Sequence, residues 1–247
     1  MEIRICKDRY ALGNSAAKLT AQAINEAIAK NGIARIVLST GASQFDTLAA
    51  LITDETVDWS KVEMFHLDEY IGLPESHAAS FRKYLKEKFT TKVDLKAAYF
   101  VEGTDENRKW LCEKISEAPI DVGLIGIGEN AHIAFNDPPA DFETEEPYIV
   151  VTLNETCKNQ QVGEGWFPTV NDVPKQAVSM SVRQIMKCKK IVSCVPYAVK
   201  ADAVYKTVAG ELSNLVPATM LKTHPDFTLY VDSESAAQIL PSAVWMA

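Results

Sequence analysis

The alternation of short apolar runs with helical segments predicts an α/β fold for this 247-residue chain. The expected architecture is a three-layer, Rossmann-like, mostly parallel sheet with helices on both faces. Two further observations support it. Residues 35–38, 62–67, 120–125 and 190–195 are apolar at successive rather than alternate positions, as in strands covered on both sides. Three of these runs end in residues that carry chemistry: a hydroxyl-glycine turn, a pair of carboxylates, and a glycine-histidine loop. Open α/β sheets bind ligands at the carboxyl ends of their strands.

Taken in order, residues 2–6 read as a first strand. Between 15 and 30, Ala16, Leu19, Ile24, Ala27 and Ile28 fall close to helical spacing, and Asn31-Gly32 ends the helix. The strand at 35–38 enters Ser39-Thr40-Gly41-Ala42-Ser43, followed by a helix to about residue 52. Such a turn can cradle a phosphate, because free N–H groups and the helix dipole both favour an anion; the alternative is an ordinary N-cap at Ser43. The strand at 62–67 leads into Asp68-Glu69-Tyr70. Burial could raise one of these carboxylates toward neutrality for proton abstraction; a solvated loop or helix cap is the other reading.

Residues 80–89 read as a helix, 98–101 as a strand and 105–116 as a helix. The strand at 120–125 then gives way to Gly126-Ile127-Gly128-Glu129-Asn130-Ala131-His132, with Asp137 five residues beyond. The glycines permit a sharp turn and close approach to a ligand, and imidazole with carboxylate can exchange protons near neutral pH. A histidine that merely satisfies a loop backbone group is the alternative.

Residues 138–174 break the rhythm. They contain a strand at 148–153 and a polar, glycine-hinged stretch tipped by Trp166 and Phe167. This segment is expected to be a lid, or a static loop with both aromatics tucked into the body. Strands at 176–180, 190–195 and 227–231 follow, with helical segments at 183–186, 197–207 and 217–221. Lys200 opposes the dipole of its own helix N-terminus, which suits an anion-binding role better than most lysines; simple exposure is the commoner situation. His224-Pro225 reads as structural. No linker or repeat divides residues 1–247, so a single domain is expected.

The net charge of −8 argues against a nucleic-acid surface and confines any anion site to local cations and helix termini. Five scattered cysteines (Cys6, Cys112, Cys157, Cys188 and Cys194) without CxxC spacing indicate neither a zinc site nor a disulfide framework. A reducing cytoplasm is the expected compartment. No membrane-length apolar run and no signal-peptide core is read in the sequence.

In combination, the Ser-Thr-Gly-Ala-Ser turn, Leu67-Asp68-Glu69-Tyr70-Ile71-Gly72-Leu73-Pro74 and the loop from Gly126 to Pro138 resemble the glucosamine-6-phosphate deaminase/isomerase family. The likeness spans nearly the whole chain, through the Lys200 helix to Leu221-Lys222-Thr223-His224-Pro225. It implies deamination and isomerisation of a 2-amino-2-deoxyhexose 6-phosphate, with no metal or organic cofactor. Asp68 would be the base moving a proton from C2 to C1, and His132, supported by Asp137, would open the ring. Residues Ser39, Thr40, Gly41, Ala42 and Ser43, with Lys200, would hold the phosphate, and Glu69 is carried as a further substrate contact. The implied partner is a sugar phosphate, with neither nucleic acid nor membrane; a homo-oligomer is allowed, since members differ in assembly.

The chain departs from the family's usual Asp-Gly-His before Ile-Ala-Phe-Asn-Glu-Pro: it has Asn130, Ala131 and Asp137 at these places. An amide at 130 can orient the imidazole but supplies no charge. The lid has Gly165 where members commonly carry a phosphate-gripping arginine, and Arg183 is offered as a substitute. Two alternatives stand beside the deaminase reading. A 6-phosphogluconolactonase-like hydrolase shares the sheet and histidine loop, but that pattern has Asp-Glu-Arg and a threonine after the histidine where this chain has Tyr70 and Ile133. A sugar-phosphate sensor without turnover is the other.

Overall fold

The computed structural model describes residues 1–240; the last seven residues of the expected single domain lie outside the described residues. In chain order the strands and helices are β1 (Glu2–Cys6), α1 (Arg9–Asn31), β2 (Ala34–Leu38), α2 (Phe45–Leu51), β3 (Val62–His66), β4 (Asp68–Tyr70), α3 (Phe81–Leu85), β5 (Ala97–Tyr99), α4 (Asp105–Ser116) and β6 (Val122–Leu124). They continue with β7 (Tyr148–Thr152), α5 (Glu155–Gly163), β8 (Gln176–Met180), α6 (Val182–Met186), β9 (Lys190–Val195), α7 (Ala201–Ala209) and β10 (Phe227–Asp232).

Seven strands form one sheet in the order β1-β10-β9-β6-β2-β3-β5, every pair parallel. All five residues of β2 are buried, with Ile36 and Leu38 entering the core beneath α1 and α2 and Val37 entering the core on the α4 and α7 side. This two-sided burial is the reason the strand runs are continuously apolar. The α/β sandwich read from the sequence is therefore the architecture. Among the described residues, no helix is long and apolar enough to cross a membrane.

The first helix begins at Arg9, earlier than expected, because the Asp8 carboxylate accepts from Ala11 N and caps it. Its end is as read: Gly32 is left-handed and its N–H donates to Ile28 O. Ser43 is not an N-cap; Gly41 at φ +103° enters a 3-10 turn over Ala42–Gln44, which runs on into α2.

From β2 the chain moves outward to β3 and β5, and from β6 the other way to β9 and β10. The loops after β2 and β6 thus diverge at a switch point, where α/β sheets open a crevice. A second, antiparallel sheet, β4-β8-β7, stands at the same edge. Leu67 joins the two sheets: its N–H donates to Leu38 O while its carbonyl accepts from Met180 N. Asp68 is the next residue.

Candidate active site

Asp68 pairs in register with Ser179 of β8 and is 5% exposed. Burial, then the neighbouring charge of Glu69, push its carboxyl up to about 8 from an ordinary value of 3.8, and among the described residues no hydrogen-bond donor or cation offsets them. The adjacent Glu69 has a different fate. Its carboxylate accepts from Ser80 Oγ and Arg82 N at 2.9 Å and from Tyr70 N at 3.0 Å, and it pairs with Arg82 Nε at 3.3 Å. Fully buried, it fastens the start of α3. The expectation of a substrate contact at Glu69 is corrected on this ground: successive strand residues face opposite ways, and its oxygens are already taken.

The histidine loop closes on itself through Gly128 N to His132 O (2.9 Å) and Ala131 N to Gly128 O (3.0 Å). Ala131 is left-handed at φ +64°, a conformation glycine adopts freely and alanine at a cost of about 1 kcal/mol. The imidazole of His132 lies directly on the α-carbon of Gly128, so a methyl group at that position would overlap the ring.

Asn130 organises the ring's inner edge. Its Nδ2 donates to Asp137 Oδ1 at 3.1 Å, which turns Oδ1 toward His132; that oxygen accepts from His132 N at 3.1 Å and stands 2.6 Å from Nδ1. Nδ1 is also 3.3 Å from Asp137 Oδ1. Two acceptors at Nδ1 select the tautomer with its proton there, leaving Nε2 with a lone pair for proton exchange. Burial alone would raise the Asp137 carboxyl, but hydrogen bonding and charge from His132, with smaller help from Asn130 and the Cys157 thiol, hold it below 3.8. Cys157, on α5, is itself pushed up by burial and by Asp137.

Two side chains, Ser179 and Asn136, join the two halves. Ser179 Oγ, opposite Asp68, accepts from Phe135 N at 3.1 Å, and Asn136 Nδ2 donates to Met180 O at 2.9 Å. The histidine loop is thereby anchored to the strand that registers with Asp68.

At the crevice, Ser39 Oγ accepts from Gly126 N at 3.1 Å, a brace between the loops after β2 and β6. The carbonyls of Gly41 and Ala42 accept from the phenols of Tyr84 (3.4 Å) and Tyr197 (3.3 Å). Ser43 Oγ accepts from Gln44 Nε2, and Thr40 is half-buried on the rim. Lys200 forms the junction between a 3-10 turn (Ala198–Lys200) and α7. Burial lowers its pKa, only partly offset by the charges of Glu164 and Glu129. A half-buried cation without an ion pair among the described residues suits an anionic ligand.

Arg183 does not join this group. Its guanidinium donates to Phe142 O (2.8 Å) and pairs with Glu143 (2.9 Å) and Glu145 (3.1 Å), so its cationic charge is already matched. Residue 165 is a glycine and supplies no cation, while the neighbouring Glu164 carboxylate is held by Gln160 Nε2 (2.7 Å) and Trp166 Nε1 (3.0 Å). Phe167 is buried, stacked on His77 and edge-on to Tyr70, whose hydroxyl donates to Gln161 Oε1 at 2.7 Å. The aromatic tip of the 138–174 segment thus packs against the body, with Trp166 beside the same cluster.

Sequence reading missed Ser179, Cys157 and Tyr197. Ser179 and Cys157 carried no motif signal, and Tyr197 stands out only by a backbone angle, φ +81°, that a sequence does not display.

With this geometry established, comparison with known proteins defines the class: over residues 7–229 the chain matches the family of glucosamine-6-phosphate isomerases and 6-phosphogluconolactonases, and it belongs to that family. Among individual relatives, it is 36% identical over 219 residues to a glucosamine-6-phosphate deaminase of Staphylococcus epidermidis, covering 84% of this chain and 88% of that one. It is 32% identical over 249 residues to the corresponding deaminase of Clostridioides difficile, covering 98% of both. A solved monomeric glucosamine-6-phosphate deaminase superposes with a TM-score of 0.87 at 30% identity, covering 96% of this chain and 99% of that one. A 6-phosphogluconolactonase from Trypanosoma brucei shares the fold (TM-score 0.78, 15% identity, 97% and 98% coverage).

Proposed function

We propose that this protein is a glucosamine-6-phosphate deaminase, converting glucosamine 6-phosphate and water to fructose 6-phosphate and ammonia. The observation that carries this reading is the pairing of a buried, uncompensated Asp68 with a histidine loop anchored through the same strand. The named relatives at 32–36% identity support the substrate.

In this reading the 6-phosphate is held by the loop of Thr40, Gly41, Ala42 and Ser43 and by Lys200, with Ser39 bracing that loop. Nε2 of His132 takes the proton of the anomeric hydroxyl and returns one to the ring oxygen, opening the pyranose. Its Nδ1–H, held by Asn130 and Asp137, stabilises the cation that forms in between. The open chain presents C2 between an aldehyde and an ammonium group. Asp68 is protonated in the empty site below about pH 8; arrival of the substrate's ammonium lowers its pKa and frees the base. Asp68 then takes the C2 proton while the C1 oxygen gains a proton given up by the ammonium, and the resulting enolamine takes the proton back from Asp68 at C1, leaving a protonated C2 ketimine that water hydrolyses to ketone and ammonia. That final addition of water gives the hydrolase character of the overall reaction.

We assign the chain one catalytic domain with a lid within residues 138–174, working in the cytoplasm, where its five free cysteines would stay reduced. The test is coupled ammonia release from glucosamine 6-phosphate, run beside its galacto epimer and beside 6-phosphogluconolactone hydrolysis. Ammonia from an amino sugar phosphate, with no lactone turnover, supports the proposal. Lactone turnover without ammonia assigns a lactonase, and saturable sugar-phosphate binding without either product assigns a sensor.

A further inference from the structure

Tyr197 is a large residue held in the left-handed region, at φ +81°, where glycine is at ease and a tyrosine is strained. Both ends of the residue are engaged. Its carbonyl accepts from Lys200 N at 3.0 Å, forming the turn that presents the lysine. Its N–H donates to Asp232 Oδ2 at 3.0 Å, tying the turn to the end of β10. At the other end the phenol crosses the crevice mouth and donates to Ala42 O at 3.3 Å. Arg9, in the first turn of α1, donates to the phenolic oxygen at 3.3 Å and is within 3.6 Å of Asp46 on α2.

The anion loop follows β2 and Lys200 lies in the turn that follows β9, and these strands are not neighbours in the sheet because β6 lies between them. The backbone pairing of the sheet therefore does not fix the distance between the loop and the lysine directly. Tyr197 does so, with its main chain on the lysine side and its side chain on the loop. We propose that Tyr197 is a positioning residue: a strut, steadied by Arg9, that sets the width of the anion seat between the Thr40–Ser43 loop and Lys200. The inference rests on the sugar-phosphate reading for the identity of the anion.

The test uses two variants of the full chain. Tyr197→Phe keeps the strained backbone and removes both phenolic hydrogen bonds, to Ala42 and from Arg9; Tyr197→Gly removes the strut and relieves the strain. Inorganic phosphate and fructose 6-phosphate binding are measured by calorimetry, with thermal midpoints alongside. Both variants should bind either ligand roughly five- to tenfold more weakly, the loss expected for one positioned hydrogen bond. Tyr197→Gly should do so without a lower thermal midpoint. With glucosamine 6-phosphate, KM should rise by a similar factor while kcat stays within about twofold. Wild-type phosphate affinity in both variants overturns the proposal, as does an affinity loss that only follows a fall in thermal midpoint. Wild-type protein that binds phosphate but releases no ammonia rejects the deaminase reading and leaves the strut standing; wild-type protein that binds neither ligand removes the seat and the strut together.

Discussion

Asn130 Oδ1 lies 2.6 Å from His132 Nδ1, and the same amide donates from Nδ2 to Asp137 Oδ1 at 3.1 Å. The amide thus does two things a carboxylate at 130 could not do together: it points an acceptor at the ring and a donor at the acid. Asn130→Ala should lower kcat on glucosamine 6-phosphate by roughly 10- to 100-fold, the order associated with losing a residue that orients a functional imidazole. The fall should come with little change in inorganic phosphate affinity. A variant with unchanged kcat would show that Asp137 orients the ring unaided.

Gly128 is the seat of the imidazole. Gly128→Ala places a methyl group where the ring lies, so the ring must leave its bond to Asn130 or the loop must open. Turnover should fall about 100-fold or more, since displacement of a reacting group by about 1 Å costs that order. Phosphate binding, which depends on other loops, should persist. A crystal structure of the variant showing the ring in place would contradict this.

Ala131 runs the other way. It is buried at φ +64°, so Ala131→Gly should leave stability unchanged or raise it by up to about 1 kcal/mol, against the usual penalty for introducing glycine. Chemical denaturation of the two proteins measures this directly. A clear loss of stability would mean that the methyl group's packing outweighs the strain.

The fold was legible because burial on both faces writes itself into runs such as 35–38, and turn residues mark their ends. The site was legible where a motif is local, as with Asn130, His132 and Asp137 in one loop. It was not legible where function depends on a partner from elsewhere. Glu69 looked like Asp68's companion, yet pleating turns it toward Arg82 and the start of α3. Arg183 looked like a spare cation, yet Glu143 and Glu145, some forty positions away, already hold it. Ser179 had no signal at all, because its importance comes from register with Asp68.

Asp68 also links the site to pH. Its folded pKa of about 8 exceeds the ordinary 3.8, so the folded protein binds the extra proton between about pH 4 and 8. With more protons bound in the folded state than the unfolded, stability from this group is full below pH 4 and declines as pH rises through that window. Asp68→Asn removes the ionisation. The variant's thermal midpoint should therefore exceed wild type by a larger margin at about pH 8 than at about pH 5. A margin that stays the same at the two pH values would mean that the buried carboxyl is ionised throughout.

Lys200→Met should raise the KM for glucosamine 6-phosphate at least about tenfold, in keeping with loss of a charge-assisted contact, and should abolish the preference for phosphorylated over unphosphorylated sugar. An intact preference would move the phosphate away from the crevice between β2 and β6.

The most direct measurement is ammonia release from glucosamine 6-phosphate by wild type and Asp68→Asn side by side, each first shown by calorimetry to bind fructose 6-phosphate. Wild type should release ammonia steadily and the variant none above background, at comparable affinity for the ligand. Equal turnover by the two proteins would remove Asp68 from the role of base, since the proton at C2 would then be leaving to some other group.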